Sequence, residues 1–77
     1  MEIKNEDHAR EMILEWQKIP RVARKRELKI AIEQLELSSM YYDQKGNDKG
    51  CARCEKCILI LKEHLASVED IITADKT

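Results

Sequence analysis

Backbone breakers occur at only two places in this chain, at Pro20 and in the run Gly46-Asn47-Asp48-Lys49-Gly50. Everything between them is free to continue one regular structure. A β-sandwich or barrel needs a turn every 8–12 residues or so, and turns are made mostly from Gly, Pro, Asn and Asp. One proline and two glycines in 77 residues cannot supply them. The residues that fill the intervals, chiefly Glu, Lys, Leu, Ile, Ala, Arg and Gln, favour helix. The expected fold is therefore all-α: a small three-helix bundle in a single domain spanning 1–77.

The punctuation divides the helices. The first is expected over about 6–18. Asn5 or Asp7 can cap it, and Glu6 and Asp7 suit the positive end of its dipole. Ala9, Met12, Ile13 and Trp16 recur at the i, i+3, i+4, i+7 spacing of one buried face. Pro20 is welcome in a first helical turn, so the second helix is expected from about 20 to 45, with Gly46 as the left-handed residue that stops it. The third is expected over about 50–72, leaving 73–77 as a frayed tail. Its stripe, Cys51, Cys54, Cys57, Ile58, Leu61, Leu65, Val68 and Ile72, is the cleanest periodicity in the sequence. The short connection at Gly46–Gly50 makes helices 2 and 3 an antiparallel hairpin.

Helix 2 carries two apolar stripes. Leu28, Ala31, Ile32, Leu35, Ser39 and Tyr42 form one, and Ala23, Ile30, Leu37 and Tyr41 lie roughly opposite. A helix with two apolar faces has two neighbours. Either helix 2 is the central element or one stripe meets another molecule.

Composition narrows the function. The chain is 38% charged, and its longest apolar run is Cys57-Ile58-Leu59-Ile60-Leu61. A membrane-spanning helix needs about 20 apolar residues. The start, Met1-Glu2-Ile3-Lys4-Asn5-Glu6-Asp7, is polar and acidic and unlike a signal peptide. A cytoplasmic protein is expected, with no membrane partner. Paired catalytic carboxylates, phosphate loops and nucleophile motifs are absent, and so small a chain has little room for a pocket, so no enzyme is expected.

The three cysteines superficially suggest a metal site. Two thiolates on one zinc ion lie about 4 Å apart, but on a helix Cys51 and Cys57 are separated by about 9 Å of rise. His64 stands about 10 Å further along. The helical spacing favours cysteines as small packing residues. No cofactor is expected; Cys51, Cys54 and Cys57 are retained as zinc candidates of second rank, with His8 or His64 as the fourth ligand.

Net charge is −1, yet residues 21–32 sum to +4. Arg21, Arg24 and Lys25 open the second helix, where cations can meet an acidic protein or phosphates. Tyr41 and Tyr42 cannot both face inward, and exposed tyrosine is a common interface anchor. Leu37, Met40, Tyr41, Arg21, Arg24 and Lys25 are therefore the candidate partner-binding residues. The expectation is a small helical interaction protein: a regulator, adaptor or inhibitor of the kind found among bacterial and phage accessory proteins, with a protein partner or a second copy forming a homodimer. The alternative is a nucleic-acid-binding regulator using the basic start of helix 2, with or without zinc stabilisation.

Overall fold

The structure, a computed structural model, describes residues 3–76, with side chains described through Val68. It contains three α-helices, α1 (Glu6–Trp16), α2 (Arg21–Gln44) and α3 (Asp48–Lys76), and no strand among the described residues. The expected all-α bundle and the α2–α3 hairpin are both present.

Local chemistry sets the helix ends. Asn5 is in extended backbone, and its Oδ1 accepts the His8 N–H at 2.7 Å, capping α1. At the other end α1 stops at Trp16, earlier than expected. Lys18 N–H donates to Glu15 O and Ile19 N–H to Trp16 O, so the chain tightens into turns. Pro20 disfavours helical backbone at the residue before it, which ends any continuation. Pro20 itself has φ −56° and ψ 152° and precedes the first helical residue, one position earlier than expected.

The stop at Gly46 forms as expected. Its φ is +72°, the left-handed conformation that favours glycine. Asn47 N–H donates to Tyr42 O at 2.8 Å and Gly46 N–H to Asp43 O at 3.1 Å, the two bonds of a Schellman motif. Asn47 then starts α3, its Oδ1 accepting the Gly50 N–H at 2.9 Å. One residue thus closes α2 through its backbone and opens α3 through its side chain. The α3 backbone remains helical to Lys76, past the expected end near Ile72, since no Pro or Gly follows Gly50. The packing expected of Ile72 lies outside the described side chains, and Thr77 outside the described residues.

The hairpin is in close contact at its closed end. A Cβ on Gly50 would stand 2.8 Å from Tyr42 Cγ, so the tyrosine ring lies on bare α3 backbone. One turn on, Ser39 Oγ and Cys51 Sγ are 3.3 Å apart. Small residues on α3 let the helices approach here. Farther along, larger side chains fill the seam: Leu28 and Leu61 are fully buried, and Ile32 and Leu35 nearly so. Burial of a leucine side chain contributes about 1.5–3 kcal/mol.

Of the two arrangements expected for α2, the central position is not the one observed. Helix α3 is the shared neighbour: α2 packs along it, and α1 packs on it rather than squarely on α2. Ala9 and Met12 are buried against this core, with Trp16 packed at its margin. Four residues, 17–20, connect α1 to α2. So short a link folds α1 back beside the open end of the hairpin, and the second stripe of α2 is left facing outward.

Candidate protein-interaction face

The outward side of α2 carries the longest run of exposed apolar residues. Val22, Ile30, Leu37, Met40 and Tyr41 are 77%, 43%, 65%, 59% and 57% exposed. At 100° per residue they fall within one sector, opposite Leu28, Ile32 and Leu35. Isolated exposed leucines are ordinary, as Leu14 and Leu59 show; a stripe running the length of a 24-residue helix is a different matter. Leu37, Met40 and Tyr41 lie on this face as the sequence suggested. Val22 was not anticipated, although it stands five full turns before Met40. Its proximity to Pro20 and the basic run hid the pattern.

The two tyrosines divide as expected. Tyr42 turns inward onto Gly50. Tyr41 turns outward, its ring edge-on to Tyr42 with centroids 5.8 Å apart, and Lys45 Nζ lies 5.7 Å from its centroid. These contacts fix the Tyr41 ring in place at the end of the stripe. On one flank, Met12 and Trp16 of α1 and Ile3 border a crevice of about 70 Å³ with Glu27, Ile30, Ala31 and Gln34. The other flank, with Lys29, Glu33 and Glu36, is exposed.

The basic candidates separate. Arg24 points back at the end of α1: Nε donates to Trp16 O at 3.1 Å, and Nη2 to Gln17 O and Ile19 O, each at 3.3 Å. The terminal carbonyls of a helix lack intrahelical donors and carry negative partial charge. The guanidinium satisfies them and fastens the α1–α2 corner. Arg24 is thus a structural clamp within this fold. Arg21 is exposed and Lys25 half-buried. Glu15 pairs with Lys18 on its own side of the corner at 3.4 Å.

The cysteines are packing residues of the closed end. Cys54 and Cys57 are buried, and burial, followed by the charge of Cys54 and Glu6, raises the Cys57 thiol above its ordinary value of 9.0. Cys51 is half-exposed and lies near Ser39 Oγ and 3.8 Å from Glu55 Oε1. Among the described residues, no three His, Cys, Asp or Glu side chains converge on a common point. His8 Nδ1 accepts the Lys4 N–H at 3.1 Å, within the α1 cap. His64 Nε2 is buried without a hydrogen-bond partner, and burial together with Arg24 lowers its pKa from 6.5. Beyond the start of α1, a crevice of about 300 Å³ opens over Cys54 and Cys57, bordered by Ile3, Lys4, Ser38, Tyr42 and Arg53. Among the described residues, no helix is long and apolar enough to cross a membrane.

No family model matches this chain, and neither a curated protein nor a solved structure matches it significantly.

Proposed function

We propose that this chain is a protein-binding module whose docking surface is the outward face of α2, centred on Leu37, Met40 and Tyr41. Its activity is association, as a regulator, adaptor or inhibitor, rather than catalysis. The observation that carries the reading is the uncovered stripe. The fold buries one side of α2 against α3, seats α1 on α3, and leaves five apolar side chains on one face in water. Apolar surface of this extent on a small chain marks a contact site. The groove mode is that of an amphipathic helix presenting anchors at i, i+3, i+4 and i+7.

The test compares the native chain with Leu37→Asp. Proteins retained by each from the source cell are identified, then purified and titrated calorimetrically. A partner that binds the native chain at least about tenfold more tightly than the variant, with helicity unchanged, supports the reading. Equal binding to both overturns it.

A further inference from the structure

The outward face of α2 is complementary to itself. On the outward side of α2 the N-terminal half carries Arg26 and Lys29, and the C-terminal half carries Glu33 and Glu36, with Lys45 beyond them over the Tyr41 ring. A surface with opposite signs in its two halves matches its own copy turned end over end. It repels a copy laid parallel, and a partner helix of one sign matches only half of it. The backbone dipoles point the same way, since antiparallel helices set opposite ends together.

We propose that the occupant of this face is a second copy of the chain, joined through α2 in an antiparallel, two-fold-symmetric pair. The proposal rests on the binding face assigned above and names its partner. A two-fold contact is isologous, so every pairing occurs twice. Ile30 packs against the partner's Leu37, and Leu37 against the partner's Ile30. In that register Arg26 lies beside the partner's Tyr41, as a cation over an aromatic ring. Lys29 lies beside the partner's Glu36 on the exposed flank, and the two copies of Glu33 meet on that flank at the axis, the one like-charged pairing of the arrangement. Of these side chains Ile30 borders the α1 crevice, and the others lie away from α1. Helix α2, with 24 residues, spans about 36 Å, room for a full pair of interlocking seams. Small chains with thin cores are commonly completed in this way.

Charge swapping combined with sedimentation equilibrium tests the arrangement. The native chain is expected to have twice its 9.0 kDa mass at micromolar concentration, and Leu37→Asp to have the single-chain mass with unchanged circular dichroism. Lys29→Glu should weaken the dimer roughly fivefold, because two symmetric pairs turn repulsive. Adding Glu36→Lys to it should restore most of the loss. Lys29 and Glu36 are two turns apart on one helix, beyond mutual contact, so rescue reports a contact between copies. In a parallel pair, Lys29 would meet the partner's Lys29, and Lys29→Glu with Glu36→Lys would rescue nothing. Rescue supports the proposal; failure of rescue overturns the antiparallel register. A native chain of single mass at every concentration overturns the second copy itself. The binding face fails separately, when no partner of any kind distinguishes the native chain from Leu37→Asp.

Discussion

Gly50 offers a perturbation whose sign depends on one contact. It sits in the first turn of α3, where alanine is ordinarily the better residue by about 1 kcal/mol. Here the added Cβ would meet Tyr42 Cγ at 2.8 Å, Tyr42 Cδ1 at 2.9 Å and Asn47 Nδ2 at 3.1 Å. Real Cβ atoms do not approach a ring so closely, so the ring or the helix must move. Overpacking of this kind costs about 1–3 kcal/mol. Set against the propensity gain, Gly50→Ala should destabilise the native chain by up to ~2 kcal/mol. With the ring removed by Tyr42→Ala, only Asn47 Nδ2, the end of a side chain, stands close to the added Cβ, and the same change should stabilise by up to about 1 kcal/mol. The coupling between the two sites is then about 1–3 kcal/mol. Urea titration, followed by helical circular dichroism and by the fluorescence of Trp16, measures all four corners of the cycle. If Gly50→Ala stabilises both backgrounds equally, the tyrosine does not rest on the α3 backbone, and the register assigned to the hairpin is wrong.

Three further outcomes follow from single contacts. Arg24→Met should cost about 1–3 kcal/mol, because it removes the side-chain donors to the Gln17 and Ile19 carbonyls and one of the two donors to the Trp16 carbonyl, and Arg24→Lys should recover only part of this, since a point charge cannot reach three acceptors; an effect below about 0.5 kcal/mol by urea titration would refute the clamp. Burial and Arg24 depress the His64 pKa below 6.5, so the unfolded chain binds this proton more readily; the His64 contribution to stability should be flat above about pH 6.5 and fall as pH drops below it, the fall being smaller in His64→Leu when the two urea midpoints are compared at each pH. In a thiol-reactivity assay on the folded chain near neutral pH, Cys51 should label first, while Cys54 and Cys57 react only as fast as the protein opens, and rapid labelling of Cys57 would contradict its burial.

Much of the fold is local and therefore legible in the sequence. Asn5, Pro20, Gly46 and Asn47 act through their own backbone or their nearest neighbours, so the helix boundaries fall close to where those residues stand. The stripe Leu28, Ile32 and Leu35 is buried because residues three and four apart share a helix face whatever the neighbour is. Cys54 and Cys57 follow the same rule, and their spacing identifies them as packing residues of α3. That Tyr41 and Tyr42 face different ways was also fixed by periodicity, since adjacent residues cannot face the same way; which of them turns inward was not.

The tertiary structure decided what lies against each face. Periodicity shows that α2 has two apolar stripes but not which one a neighbour covers, and only the packing of α1 on α3 left Ile30, Leu37 and Tyr41 outside. Arg24 reads in sequence as one cation in a basic run. Its attachment to the end of α1 depends on the path of the chain through residues 17–20, which no local pattern encodes. His64 likewise became a half-buried imidazole, its Nε2 without a hydrogen-bond partner and Arg24 of α2 close enough to act on its charge. Helix formation is set by interactions within a few residues, whereas coverage depends on how three rigid rods of fixed length can be joined. In this chain, the short link between α1 and α2 and the bare backbone at Gly50 determine how those rods are joined, and hence which face remains open to a partner.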